Sequence, residues 1–367
     1  MKNLSSLPKK HDAVILLVTL LLLTVGITMI YSSSSILALE RFKDGQYFLK
    51  RQFFYILIGL VGMMILKKTS YQKLGKVAYL GLFLSVVCLV LLFVPHLGVK
   101  VNNATRWLRL GFFTFQVTEL VKVTIVLFLA HYLGKKDVDP QDFTKGFLVP
   151  LFVTLFIMAL ILRQPDFGTA VIIAMIMLAM LFLSGVRLRY LAGLLALLLP
   201  LAVWQVMRSD YRWERLKTMF NPWNDPLGTG FQIIQSFISF GSGGPFGVGI
   251  GDGMQKLYYL PEPHTDFILS VIAEEGGFFS VAVVISLFLI LIFRGFMIAY
   301  KAPDLFGTLL AAGLTMTIAV EAFVNIAGVM GLVPVKGLAL PFVSYGGSSV
   351  VMSLASVGIL MNISSYG

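Results

Sequence analysis

Long apolar runs follow one another almost from end to end of this chain, and each is about as long as a helix crossing a hydrocarbon core of roughly 30 Å. They fall at 13–31, 53–66, 77–95, 117–133, 146–162, 168–184, 190–207, 267–293, 305–332 and 342–363. The runs lack the period-2 alternation of a membrane β-barrel, so the expected fold is all-α and polytopic, with about ten transmembrane helices. Composition agrees: 57% of the 367 residues are hydrophobic and 13% are charged. The mean hydropathy of +0.87 lies far outside the soluble range. The first run is too long for a signal-peptide core and the polar stretch at 31–35 is a poor cleavage site, so it reads as a membrane helix. Residues 1–367 then form one integral membrane domain.

Ten crossings put both termini on one side, and Lys9 and Lys10 ahead of the first run assign that side to the cytoplasm. Lys67, Lys68, Lys73, Lys76, Lys135, Lys136, Arg187 and Arg189 cluster at the inner helix ends, as the positive-inside rule requires. The outer segments nevertheless carry Arg106, Arg109, Arg163, Arg208, Arg212, Arg215, Lys217, Lys256 and Lys336. An anionic ligand outside would explain that excess. Cys88 is the single cysteine and the four histidines are scattered, which excludes an internal disulfide and a structural zinc site. No Walker loop or dinucleotide fingerprint is present, so nucleotide hydrolysis in this chain drives nothing, and no feature points to nucleic acid.

The longest stretch between apolar runs, about 208–265 between the seventh and eighth helices, is rich in Gly, Pro and aromatics. Within it "FQIIQSFISF" has helical apolar spacing and suits a short helix on, or re-entering, the membrane surface. The glycines that follow would let backbone amides approach phosphate oxygens. "NNATRWLRLG" alternates cations with an indole; Trp107 suits an interfacial anchor and Arg106 a phosphate contact. Glu119 and Lys122 lie three residues apart on one helix face and can pair, as a support for the bundle. In "RQPDFGTA" Asp166 is a natural helix cap, while Arg163 is left to line a cavity. The segment "GLVPVKGLALPFVSYGGSS" is a hydrophobic run broken by Pro and Gly, a form tolerated at membrane depth only against protein or a cavity, and Lys336 is its charge. Finally, "HTDF" precedes the eighth helix, where Thr265 or Asp266 could cap it. Glu274 and Glu275 lie deeper, and such a pair requires a proton or a cation.

Five ordered motifs, "NATRWLRLG", "QPDFGT", "NPWNDPLGTGFQ", "GVGIGDGMQKLYYLPEPHTDFI" and "GLVPVKGLALPFVSYGGSS", together resemble the SEDS family (shape, elongation, division and sporulation) over nearly the whole chain. Lys336 and Gly337 in "PVKG" are most similar to its cell-division branch, FtsW-like rather than RodA-like, with the sporulation branch, close to the division one, as the alternative. The chain departs from the family pattern at Val117, Thr118 and Asp252. The resemblance implies a glycosyltransferase in the bacterial cytoplasmic membrane, at the division septum, that polymerises lipid II into β-1,4 glycan strands on the outer face. It also implies a class B penicillin-binding protein, a transpeptidase, as partner.

Under that resemblance Asp266 is the catalytic base on the acceptor hydroxyl, and His264 orients Asp266 or contacts substrate. Arg106, Trp107, Arg163, Arg212, Lys256, Lys336 and Ser348 line the substrate site, with Glu262 at its rim. Converting an α-linked glycosyl pyrophosphate to a β-glycoside inverts the anomeric centre, so one carboxylate suffices. Arg and Lys, alone or with a divalent cation such as Mg2+ or Mn2+, would stabilise the leaving pyrophosphate. The competing reading is a lipid II flippase, since a ten-helix bundle with a polar cavity and a broken helix also describes a transporter.

Overall fold

A computed structural model describes residues 11–101, 104–110, 113–256, 260 and 263–367. Among these residues nine helices are long and apolar enough to cross a membrane. They are α1 (Ala13–Phe42), α2 (Tyr47–Lys68), α3 (Tyr71–Leu91), α5 (Val149–Leu162, entered through a π-helical turn, Phe143–Leu148), α6 (Phe167–Ser184), α7 (Leu188–Met207), α10 (Ile268–Lys301), α11 (Leu305–Val329) and α12 (Gly347–Ser364). The largely apolar α4 (Val117–Leu133), at 17 residues and carrying Glu119 and Lys122, makes the tenth. Between α7 and α10 lie two shorter helices, α8 (Asp210–Phe220) and α9 (Phe231–Gly243).

Several boundaries differ from the sequence expectation, each for a local reason. α1 continues through the serine stretch at 31–35 because those side chains face inward: Ser34 donates to the Ile30 carbonyl at 2.6 Å, and Ser32 reaches a carboxylate of α10. Asp12 caps the start of α1, accepting from Val14 N at 2.9 Å, and also receives Arg294 Nε at 3.0 Å, which ties the far end of α10 to it. The expected third helix, 77–95, stops at Leu91, and a three-stranded antiparallel sheet follows: β1 (Gly98–Val101), β2 (Ala104–Leu110) and β3 (Phe113–Gln116), in that order. β3 runs directly into α4, and Gln116 N donates to Ser348 Oγ at 2.9 Å, which locks the sheet to the start of α12.

Two stretches leave helical geometry within or between the membrane-crossing helices, where peptide groups withdrawn from water need a protein partner. α10 is broken at Gly277, whose φ of 69° and ψ of −171° are essentially glycine-only. The glycine-rich loop after α9 satisfies the break: Val248 N and Gly249 N donate to the Glu274 and Glu275 carbonyls at 3.0 and 3.1 Å, while Phe278 N and Phe279 N donate to Gly244 O and Pro245 O. A Cβ on Gly247 would lie 2.1 Å from Glu275 O, and one on Gly277 would lie 2.3 Å from Gly247 N. Residues 330–346 form the second stretch. Asn325 Nδ2 donates to Leu338 O, Leu340 N to Ser344 Oγ, and Gln52 bonds both Ser344 O and Gly346 N, so α2, α11 and the segment itself replace the missing helix bonds.

The break yields the first prediction. Gly277→Ala should lower the thermal unfolding midpoint of the detergent-purified protein, since strained backbone alone costs about 1–3 kcal/mol and the methyl clashes besides. Gly62→Ala, mid-helix with open space at its Cβ, should be neutral or stabilising by up to about 1 kcal/mol. Equal behaviour of the two variants would contradict the role given to the break.

Candidate active site

The half-helix 268–276 carries the candidate site at its start, and its other end is anchored by two buried carboxylates. Glu274 accepts from Met254 N at 2.8 Å, and Glu275 accepts from Gly251 N at 3.0 Å and from Ser32 Oγ of α1 at 2.7 Å. Lys256 completes the cluster, with Nζ 2.7 Å from Glu275 Oε1 and a bond to Ser32. The acidic pair thus finds its cation inside the glycine-rich loop. Lys256, read from sequence as a substrate contact, is buried and ion-paired here.

Asp266 lines a narrow cleft with Val324, Asn325, Val335, Lys336, Gly337 and Leu338. Neither Thr265 nor Asp266 occupies the N-cap of α10: the helix begins at Ile268 with Phe267 at the cap and no capping side chain. Backbone approaches the carboxylate closely at Gly337, where φ is 73° and a Cβ would sit 2.9 Å from Asp266 Oδ2. Asn325, which the motif reading missed, donates through Nδ2 to the carbonyls of Asp266 at 2.9 Å and Leu338 at 2.6 Å. Both partners are acceptors, so the amide orientation is fixed and Asn325 Oδ1 is buried without a hydrogen-bond partner. Its position four residues after Glu321 on the same helix face was the available signal.

Lys336 reaches from this cleft to the turn before α6. Its Nζ donates to Thr169 Oγ1 at 3.0 Å and lies 4.0 Å from Asp166 Oδ1, while Arg106 Nε, on β2, lies 3.2 Å from Asp166 Oδ2. Burial pushes the Lys336 ammonium down to about 7 against the pull of Asp166. Asp166 is itself buried, which raises its carboxyl, yet Lys336, Arg106 and the Thr169 bonds hold it below the usual carboxylate range. Asp166 also caps α6 as expected, accepting from Thr169 N at 3.2 Å. Arg212 packs over the Phe167 ring at 5.0 Å, and Arg215 of α8 donates to the Val335 carbonyl. Beneath, Lys122 donates to Glu119 at 2.8 Å, the expected pair, and to Glu321 of α11.

Each remaining candidate has its own local setting. His264 is buried against Phe48, with ring centroids 4.4 Å apart, and near Tyr345, whose amide donates to its carbonyl. Trp107 is half-buried on β2 opposite Val99 and Gln116, Arg163 is exposed, and Ser348 is buried at the β3–α12 contact. Glu262 lies outside the described residues. Among the described residues no three His, Cys, Asp or Glu side chains come together to hold a metal. The Asp266 cleft offers one carboxylate and one amide oxygen beside a lysine, which does not make a protein-built Mg2+ or Mn2+ cage.

With this geometry, comparison with known proteins is decisive. The model of the FtsW/RodA/SpoVE family, described as cell cycle proteins, matches residues 12–367. The chain belongs to the FtsW/RodA/SpoVE family. It is 47% identical to the probable peptidoglycan glycosyltransferase FtsW of Trichlorobacter lovleyi over 97% of this chain and 93% of that protein. It is 39% identical to the stage V sporulation protein E of Bacillus subtilis over 97% of each chain. Among solved structures, a chain from a peptidoglycan synthase complex that coordinates polymerization and crosslinking superposes with a TM-score of 0.78 at 31% identity, over 96% of this chain and 97% of that one. The rod shape determining protein RodA of Thermus thermophilus superposes with a TM-score of 0.70 at 26% identity, over 96% of both chains. The FtsW/RodA/SpoVE fold therefore extends over the candidate site, the sheet and all ten long helices.

His264 yields a pH prediction. Burial, aided by the Arg41 charge, lowers it from 6.5 to about 4, so it is neutral in the fold while the unfolded chain takes up a proton below about 6.5. Stability present above pH 6.5 is therefore lost as pH falls towards 4. His264→Phe should flatten the fall of the thermal midpoint over that interval; an unchanged fall would exclude His264 as its source.

Proposed function

We propose that the protein is an inverting glycosyltransferase that polymerises lipid II at the end of the bundle bearing the sheet. The observation that carries this reading is the cleft that Asp266 and Lys336 both line, where Gly337, at a φ of 73°, brings backbone close to the Asp266 carboxylate. In the reaction the acceptor sugar hydroxyl attacks the anomeric carbon of the donor as the bond to its pyrophosphate breaks. Asp266 takes the hydroxyl proton, and the electron pair of the broken bond leaves on the polyprenyl pyrophosphate. Inversion converts the α-linked donor to a β-linked product without a covalent glycosyl-enzyme. Lys336 and Arg106 meet the charge that grows on the leaving group, with Arg212 alongside.

The relatives named as FtsW and the synthase-complex neighbour support the reaction class. The lysine-dense helix ends opposite the sheet support an outward-facing site with both termini in the cytoplasm. We assign a class B transpeptidase as partner on the likeness to the synthase complex, and the septum as location on the likeness to FtsW. Pairing of Lys122 within the bundle by Glu119 and Glu321 favours chemistry at one face over passage of lipid II between faces.

The test is polymerisation of fluorescent lipid II by the purified protein. The parent should give a ladder of glycan products. Asp266→Asn should lose roughly 10² to 10⁴ in rate while remaining folded, and Asp266→Glu should be impaired because the base is displaced. Lys336→Ala and Arg106→Ala should each lose roughly 1.5–3 kcal/mol of transition-state stabilisation at subsaturating lipid. A folded, fully active Asn variant would end the general-base assignment.

A further inference from the structure

The turn before α6 is more ordered than a helix cap requires. Asp166 is 1% exposed, and both of its oxygens are shared. Oδ1 accepts from Thr169 N at 3.2 Å and stands 4.0 Å from Lys336 Nζ; Oδ2 accepts from Thr169 Oγ1 at 2.7 Å and stands 3.2 Å from Arg106 Nε. The Thr169 hydroxyl, having donated to Asp166, accepts from Lys336 at 3.0 Å. Gly168 makes the approach possible: a Cβ there would lie 2.0 Å from Lys336 Cε and 2.2 Å from Cδ, so the lysine stem lies where any other residue would place its side chain. Asp166, Gly168 and Thr169 thus form a seat for one lysine delivered from far along the chain.

We propose that Asp166 is a positioning residue of the anion site, holding Arg106 and Lys336 on either side of one carboxylate and keeping the lysine charged until a lipid-linked pyrophosphate replaces it. This rests on the reading of Arg106 and Lys336 as the groups that meet the leaving pyrophosphate. The charged groups around Lys336 come from several elements: Asp166 on the turn before α6, Arg106 on β2, Lys122 on α4 and Glu321 on α11. Asp266 lines the same cleft, and Arg215 of α8 bonds the neighbouring Val335 carbonyl. Arg106 and Lys122 disfavour a charge on Lys336; Asp166 and Glu321 favour it, and Asp166 more strongly. A pyrophosphate bears more negative charge than one carboxylate, so on arrival it can take over both cations and leave neither bare. Asp166 remains bonded to Thr169 and keeps its cap.

Because burial brings Lys336 down to about 7 even beside Asp166, its charge is lost as pH rises through that region, and loss of Asp166 moves the change to lower pH. The experiment measures lipid II polymerisation at subsaturating substrate between about pH 5.5 and 8.5 for the parent, Asp166→Asn and Asp166→Asn/Lys336→Arg, with thermal unfolding alongside. Asn can still accept from Thr169 N, so the cap persists. The alkaline limb of Asp166→Asn is expected about one pH unit below that of the parent, a loss of about tenfold at pH 8 that shrinks towards pH 6. In the double variant the limb should vanish, whatever the absolute rate, because a guanidinium keeps its charge. Should Asp166→Asn not fold, Asp166→Ser, an equally good cap without charge, carries the same forecast. Parallel profiles for parent and variant, or an alkaline limb that survives Lys336→Arg, would overturn the proposal and leave the polymerase reading standing. A parent that makes no polymer at any pH would instead remove the reading on which it rests.

Discussion

A peptide group inside a membrane has no water to turn to, and that constraint organises this molecule. The chain breaks helical geometry at Gly277, inside α10, and again over 330–346, between α11 and α12. Each break survives because another part of the protein supplies the missing partners. At Gly277 they are backbone groups of the glycine-rich loop; over 330–346 they are the side chains of Gln52, Asn325 and Ser344. The broken segment 330–346 meets the candidate site through Asn325, which bonds both the Asp266 and Leu338 carbonyls. A continuous helix could not bring Gly337 so near the Asp266 carboxylate.

Charge follows the same logic. Taking an ion out of water costs several kcal/mol unless partners surround it. Glu275 has Lys256 and Ser32, and Lys122 has two glutamates. Lys336 is the strained case. It is largely withdrawn from solvent, and its nearest carboxylate is 4.0 Å away and shared with Arg106. A cation placed this way gains most from an incoming anion, which is what stabilisation of a departing pyrophosphate requires.

The ten crossings were legible because hydrophobic length is a long-range, redundant signal. The sheet was not: β2, "ATRWLRL", mixes polar and apolar residues on both faces, and three strands of four to seven residues flanked by membrane helices carry little hydrophobic pattern. Asp166 as a cap and Glu119 with Lys122 as a pair were readable because both are local, within three residues. The pairing of Lys256 with Glu275 was not legible because it spans a loop whose path no local rule predicts. Asn325 and the partner of Glu321 escaped for a similar reason, the contacts being supplied by α4, the turn before α10 and the broken segment. The serine stretch after the first run looked like an end, yet inward-facing hydroxyls that bond carbonyls and Glu275 carry α1 onward to Phe42.

The account divides labour between a carboxylate that moves a proton and cations that hold a pyrophosphate. Equilibrium binding of fluorescent lipid II to the purified Asp266→Asn protein tests that division most directly. The expected result is affinity within a few-fold of the parent, with the lipid recovered unpolymerised, and much weaker binding once Arg106 and Lys336 are both replaced by Ala. Loss of binding in the Asn variant, with binding retained in the double Ala variant, would contradict it.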